Sequence, residues 1–134
     1  MMRYLMILIM AFTLMHADIK VVATPTCEIE RVTQSDIKRL FMLKQQSLDD
    51  RSIKIVDRDE KSLYKRFVEE HLNKTLRQMK TYWVRMLFTG KKIAPKKLSL
   101  EELNGLEYQE ECYFSYTDEE ESIDPQYWQE VQVE

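Results

Sequence analysis

The chain of 134 residues has little of several residue types on which catalytic and metal sites depend: two glycines, two cysteines and two histidines. Isolated glycines such as Gly90 and Gly105 do not make the glycine-rich loop that cradles a nucleotide phosphate. His71 has no nucleophile motif beside it, and no carboxylate pair has a recognisable acid–base context. Two cysteines without a nearby histidine pair are too few ligands for structural zinc. The sequence therefore predicts a protein that is not an enzyme and has no metal or cofactor.

A stretch long enough to cross a membrane is also missing. The most apolar run is Leu5–Met15, whereas a spanning helix needs about 20 apolar residues. Arg3 precedes the run and Ala17 follows it, which is the order of a cleavable secretory signal. We expect residues 1–17 to be removed on export to the periplasm, which leaves no membrane span. A membrane anchor is the alternative interpretation of the run.

Neither sign of charge dominates, since 20 basic residues face 23 acidic ones. This balance gives no support for a nucleic-acid or membrane-surface partner. The distribution is less even: residues 117–134 hold seven acidic residues and no basic one, which is typical of a solvated acidic tail. A basic patch lies earlier in the chain. It either contacts an acidic partner or the tail, or is only a solvated loop; its members are Lys91, Lys92, Lys96 and Lys97.

The two cysteines, Cys27 and Cys112, lie far apart in the sequence. In an oxidising compartment an isolated pair most often forms one disulfide, whereas two buried free thiols are the alternative. Because export makes oxidation possible, we predict the disulfide. Closing so long a loop stabilises a fold by roughly 4 kcal/mol on the chain-entropy model.

Apolar periodicity predicts strands that alternate with helices. Strands are expected at residues 18–24, 52–57 and 112–116. Helices are expected at residues 37–43, 62–72 and 75–88, with a short one opened by a capping box at Ser99–Glu102. This alternation predicts an α/β fold with at least some parallel pairing.

Several motifs follow one another in a particular order. They are Leu40-Phe41-Met42, Val56-Asp57-Arg58, Ser62, Tyr82-Trp83-Val84-Arg85 and Leu87-Phe88-Thr89-Gly90-Lys91. This order resembles short relatives of the phosphate-binding proteins of ABC transporters, in the type 2 periplasmic binding protein-like superfamily. The resemblance extends over about residues 19–116 and implies a domain at residues 18–116. Because the chain is too short for two lobes, the expected fold is a single lobe, a small mixed sheet flanked by helices.

The turn between the second strand and the following helix is the predicted anion site. A helix N-terminus offers unpaired backbone N–H groups and the positive end of the helix dipole, and both favour an oxyanion. Ser62 donates from its hydroxyl and Arg58 from its guanidinium in this interpretation, with Lys61 and Thr24 as further candidates. The resemblance implies the same turn, which contacts phosphate in the full-length relatives. The alternative is that Ser62 caps the helix and Arg58 pairs with a neighbouring acid.

Two functions remain open at this point. The first is a periplasmic solute-binding-like protein that holds phosphate or a similar small anion. The second is a non-catalytic envelope interaction module that has lost ligand binding and contacts a protein partner through its acidic tail or basic loop. Aromatic and methionine side chains on the third helix either line a pocket or, more commonly for this spacing, pack in the core; they are Tyr82, Trp83, Met86 and Phe88.

Overall fold

The computed structural model describes residues 18–106 and 111–134, and the expected secretory signal at residues 1–17 lies outside them. Within the described ranges the chain is a mixed α/β structure. None of the described helices is long and apolar enough to cross a membrane. The helices are α1 (Gln34–Phe41), α2 (Lys61–His71), α3 (Leu76–Phe88) and α4 (Leu100–Gly105), with a single 3-10 turn at Pro25–Cys27.

The described strands form one six-stranded sheet and one two-stranded sheet. They are β1 (Lys20–Ala23), β2 (Arg31–Val32), β3 (Ser47–Leu48), β4 (Arg51–Ile55), β5 (Asp57–Arg58), β6 (Lys97–Leu98), β7 (Cys112–Thr117) and β8 (Gln129–Val133). The large sheet has the order β2-β8-β1-β7-β4-β3, and β5 pairs with β6. Parallel pairs are β2 with β8, β4 with β7 and β5 with β6, while the other pairs are antiparallel. The predicted α/β class and the predicted parallel pairing are confirmed.

Three of the four described helices begin at a reciprocal capping box. Thr33, Thr75 and Ser99 each accept the backbone N–H of the third helical residue, whose side chain accepts the cap residue's own N–H. This satisfies donors that a helix N-terminus otherwise leaves unpaired. The end of α3 is set by Gly90, which has φ 66°, a left-handed conformation that glycine adopts at little cost.

Apolar side chains cover both faces of the sheet. The larger cluster joins β1, β7 and β8 to α1 and α2, and its centre is a ring stack in which Phe67 lies 3.7 Å from Tyr116 and 4.7 Å from Phe41. The smaller cluster holds Val22, Val56, Leu98, Leu103 and Trp128. Because successive residues of a strand face opposite sides, β1 contributes Val21 and Ala23 to the larger cluster and Val22 to the smaller one.

The predicted disulfide between Cys27 and Cys112 is confirmed. Cys27 is fully buried and Cys112 nearly so. Their bridge links the turn after β1 to the first residue of β7, two strands that are already paired. The bridge therefore fixes one end of the central strand pair across a sequence separation of 85 residues.

The prediction of a solvated acidic tail at residues 117–134 is wrong where this segment joins the sheet. Residues 129–133 form β8, which lies between β1 and β2 in the sheet. Trp128 and Val131 are buried. Three acidic side chains of this segment pair with arginines of the body: Asp118 with Arg66, Glu121 with Arg58 and Glu134 with Arg31. Residues 112–117 are consequently not the last strand.

Candidate functional site

Arg58, the principal candidate for anion binding, is directed into the protein. Its side chain is 1% exposed and makes four hydrogen bonds within the chain. Two of them form a fork to the carboxylate of Glu121, at 2.7 and 2.6 Å. The others go to the backbone carbonyls of Tyr116 and Leu98. A guanidinium that is buried and bonded in this way stabilises the fold and has no free donor directed at a ligand.

Asp57, the neighbour of Arg58 in β5, is buried beside the same network. Its carboxylate accepts a hydrogen bond of 2.5 Å from the hydroxyl of Tyr116. Burial raises the pKa of Asp57 to about 6, although this hydrogen bond and the positive charge of Lys97 oppose the shift. The same burial and the proximity of Asp57 raise the pKa of the Tyr116 hydroxyl. β5 thus carries a buried acid and a buried base side by side.

The remaining candidates of the predicted site are not brought together. Ser62 is the second residue of α2 and not its cap, because Glu60 occupies the N-cap position. The Ser62 hydroxyl donates to the Glu60 carboxylate at 3.2 Å. Thr24 is buried, and its hydroxyl accepts the backbone N–H of Tyr113 at the start of β7. Arg58 bonds the backbone near the other end of β7, so Thr24 and Arg58 serve opposite ends of that strand.

A cleft of about 430 Å³ opens beside the predicted turn, and we call it the α3 cleft. It lies between α3, the β5–β6 pair and the start of α2. Its charged lining residues are Asp57, Arg58, Asp59, Lys61, Lys80 and Lys97, and its other lining residues are Tyr64, Leu76, Trp83, Val84, Ala94 and Pro95. This volume lies within the usual range for small-molecule sites, roughly 300–1,000 Å³.

Three lysines border the α3 cleft, and none of them forms an ion pair within the described ranges. Lys61 belongs to the first turn of α2, whose N-cap makes no side-chain cap hydrogen bond. Lys97 lies over the ring of Tyr64, with its ammonium 4.1 Å from the ring centroid. Burial raises the pKa of Tyr64 to about 12, while a hydrogen bond with Trp83 opposes the shift. The cleft therefore combines aromatic walls with unpaired positive charge.

A second and larger cleft, of about 760 Å³, lies between β4 and α4. Its apolar lining includes Ile53 and Ile55 of β4, Leu98 of β6 and Leu106 after α4. Of its lysines, Lys54 is already paired with Glu111 at 2.6 Å. The larger cleft thus has fewer unpaired charges than the α3 cleft, and for this reason we take the α3 cleft as the candidate site.

Comparison with known proteins gives no relative: no family model, curated protein or solved structure matches the chain. The resemblance to phosphate-binding proteins stays a prediction.

Sequence reasoning located the turn at residues 58–62 but missed Lys80 and Tyr64 as neighbours of it. Lys80 precedes Trp83 and Val84 by about one helical turn, which places all three on one side of α3. That spacing was readable in the sequence. The position of Lys97 beside the turn could not be read from the sequence, because β6 is only two residues long and shows no alternation that identifies a strand.

Proposed function

We propose that the chain is an exported, non-catalytic binding module that holds a small organic anion in the α3 cleft. The observation that carries the proposal is the lining itself, aromatic and aliphatic walls bordered by three lysines without ion pairs. Apolar walls bind the body of a ligand, and a few charged groups fix its orientation. The ligand class is an amphipathic anion, such as an aromatic carboxylate or phosphate ester.

The position of the anionic group follows from the charges. Lys61 and the uncapped first turn of α2 lie at one side of the cleft, where backbone N–H groups and the helix dipole favour negative charge. Asp57 and Asp59 also border the cleft, but the Asp57 carboxylate is held by the Tyr116 hydroxyl and the three lysines outnumber the two acids. A ligand carboxylate or phosphate at Lys61 and Lys80 keeps the apolar ring against Trp83.

Arg58 has no direct role in this proposal, because Glu121 already occupies its fork. Inorganic phosphate, which has no apolar body, is therefore a weaker ligand than an organic anion of the same charge. The expected ligand thus changes from inorganic phosphate to an organic anion, while the expected location beside the turn at residues 58–62 is kept. The turn from β5 into α2 lies where the resemblance places the anion site of the periplasmic binding protein-like superfamily. This agreement in location supports a lobe of that type.

Export is supported by the disulfide, since such bonds persist in oxidising compartments. Intact mass measurement of the protein recovered from the periplasm tests it, and we expect the mass of a chain without residues 1–17. Recovery of the uncleaved chain from the cytoplasm would contradict export.

A second function, an envelope interaction module without a ligand, is favoured by the internal use of Arg58. In that case the scaffold keeps the buried ion pair for stability alone, and the α3 cleft stays empty. The two functions differ in one measurable property, which is saturable binding of a small anion.

Calorimetric titration of phenyl phosphate, benzoate and inorganic phosphate into the protein tests the proposal. We expect saturable heat with phenyl phosphate and at least tenfold weaker binding of inorganic phosphate, since burying one aromatic ring contributes roughly 1.5–3 kcal/mol. The double substitution Lys61→Ala and Lys80→Ala is expected to abolish the heat.

Lys65→Ala is the matched control, because Lys65 is exposed on α2 and does not line the cleft. It is expected to bind as the wild type does. Absence of heat with all three anions at millimolar concentration would reject anion binding in favour of the interaction module. Equal losses in the Lys65 control and the double variant would move the site away from the cleft.

A further inference from the structure

Three apolar side chains protrude at the end of α3 and in the loop that follows. Leu87, Phe88 and Ile93 are 62%, 86% and 78% exposed, and we call them the apolar tip. They line neither the α3 cleft nor the larger cleft. Exposed apolar side chains scattered singly are normal, but three large ones within seven residues are a feature to be explained.

The segment around the apolar tip has charge of one sign. Residues 73–100 contain eight basic residues and no acidic residue, in a chain whose total charge is slightly negative. The basic residues are Lys74, Arg77, Lys80, Arg85, Lys91, Lys92, Lys96 and Lys97. None of the eight takes part in an ion pair within the described ranges, whereas cations elsewhere in the fold do.

The tip is held in its protruding position by specific bonds. The Thr89 hydroxyl donates to the backbone carbonyls of Arg85 and Met86, which closes the last turn of α3. The Lys92 ammonium donates to the carbonyl of Leu43, which ties the following loop to the end of α1. Between these two anchors Gly90 makes the left-handed turn. The exposure of Phe88 and Ile93 is therefore a property of a defined turn.

We infer that the apolar tip inserts into the surface of a membrane that contains anionic phospholipid, with the surrounding cations at the headgroups. Side chains that protrude from a turn need a complementary pocket to bind a protein, whereas a bilayer accepts them without one. Apolar residues beside lysine and arginine are the combination that holds a protein in the membrane interface. Each cation near an anionic surface adds to the attraction. This inference does not depend on a ligand in the α3 cleft.

Vesicle flotation and a fluorescence probe test the inference in the full chain. We expect binding to phosphatidylglycerol vesicles to be roughly tenfold stronger than binding to phosphatidylcholine vesicles, from the several cations at the surface. The triple variant Leu87→Ser, Phe88→Ser and Ile93→Ser is expected to lose roughly tenfold in affinity. Because these side chains are exposed, the variant should fold, which thermal unfolding by circular dichroism verifies.

The apolar run at residues 1–17 is common to all variants, so a local probe is needed beside the affinity. Trp83 and Trp128 give the wild-type signal, so quenching by brominated phosphatidylglycerol is compared with that of the wild type. Phe88→Trp is expected to add a quenched component, and Tyr127→Trp, at an exposed position before β8, an unquenched one. Equal quenching at both positions, or equal affinity of the triple variant and the wild type, would overturn the inference. A dimer in light scattering that the triple variant abolishes would assign the tip to a second copy of the chain instead.

Discussion

Arg58 and Asp57 are consecutive residues of β5 that are both buried, yet the fold satisfies them differently. The Arg58 guanidinium donates to the Glu121 carboxylate and to the backbone carbonyls of Tyr116 and Leu98. Asp57 accepts hydrogen bonds from the Tyr116 hydroxyl and the Arg58 backbone N–H, yet burial outweighs both and raises its pKa to about 6. Burying a charge is costly unless it is paired, and the fork from Arg58 to Glu121 supplies that pairing for Arg58.

Replacing Arg58 with alanine is expected to lower the free energy of unfolding by about 3–5 kcal/mol, because it leaves the Glu121 carboxylate without its partner. Urea denaturation measures this change. Arg31→Ala is the control: its ion pair with Glu134 is exposed on both sides, so the expected loss is below about 1 kcal/mol. Similar losses in the two variants would contradict a structural role for Arg58.

Asp57 is expected to make the fold less stable as the pH rises through the interval between its two pKa values. Its pKa is about 6 in the folded chain, against an ordinary value of 3.8 for an aspartate side chain, so the folded state binds the proton more tightly. The native advantage is complete below pH 4 and is lost as the pH passes 6. Asp57→Asn removes the titration while leaving an oxygen for the Tyr116 hydroxyl.

The measurement is the free energy of unfolding of the wild type minus that of Asp57→Asn from pH 4 to pH 7.5. We expect this difference to fall as the pH rises, by on the order of 3 kcal/mol. His71, whose pKa burial lowers, is present in both proteins and cancels. A difference that stays constant or increases with pH would show that Asp57 does not titrate in the folded chain as described.

At the scale of elements, the sequence predicted the helices better than the strands. Helix starts were readable because Thr33 and Ser99 stand in capping positions before apolar residues at helical spacing. β8 was missed because its residues are mostly polar and only Val131 is fully buried. The alternation at residues 130–133 is only four residues long and follows an acidic segment, and the strand's place in the sheet depends on backbone pairing with β1 and β2.

Truncation of the chain after Trp128 is expected to abolish cooperative folding. Removing β8 separates β2 from the sheet and leaves the edge of β1 without hydrogen-bond partners. Circular dichroism during thermal unfolding measures the loss of the transition. Gln132→Thr, an exposed change on the same strand, is expected to leave the melting temperature nearly unchanged. If the truncated chain melts as the full chain does, residues 129–134 are a solvated tail and β8 does not stabilise the sheet.

At the scale of the whole molecule, the candidate site was only half predictable. The turn at residues 58–62 was identified from the order of strand and helix, and it does border the α3 cleft. The structural role of Arg58 could not be predicted, because its partner Glu121 lies 63 residues away in the sequence. Folding brings the acidic segment after β7 against β5, so no local sequence pattern predicts the ion pair between Arg58 and Glu121.

The overall arrangement separates two surfaces that share α3. One side of the helix borders the cleft with Trp83 and Lys80, and its C-terminal end exposes Leu87 and Phe88. The disulfide fixes the opposite part of the fold, at the turn after β1. The triple substitution at the tip leaves every residue that lines the cleft unchanged, so cleft binding is tested independently of it. Lys80 and Lys97 belong to both surfaces, so Lys80→Ala also removes one cation near the tip.

The central claim is that the α3 cleft binds an organic anion, and indole NMR signals test it most directly. The chain has two tryptophans: Trp83 lines the cleft, and Trp128 is buried with its indole N–H bonded to the Leu103 carbonyl. During titration with phenyl phosphate we expect the Trp83 indole signal to shift saturably while the Trp128 signal stays in place. An unchanged Trp83 signal at millimolar phenyl phosphate, or equal shifts of both signals, would contradict the claim.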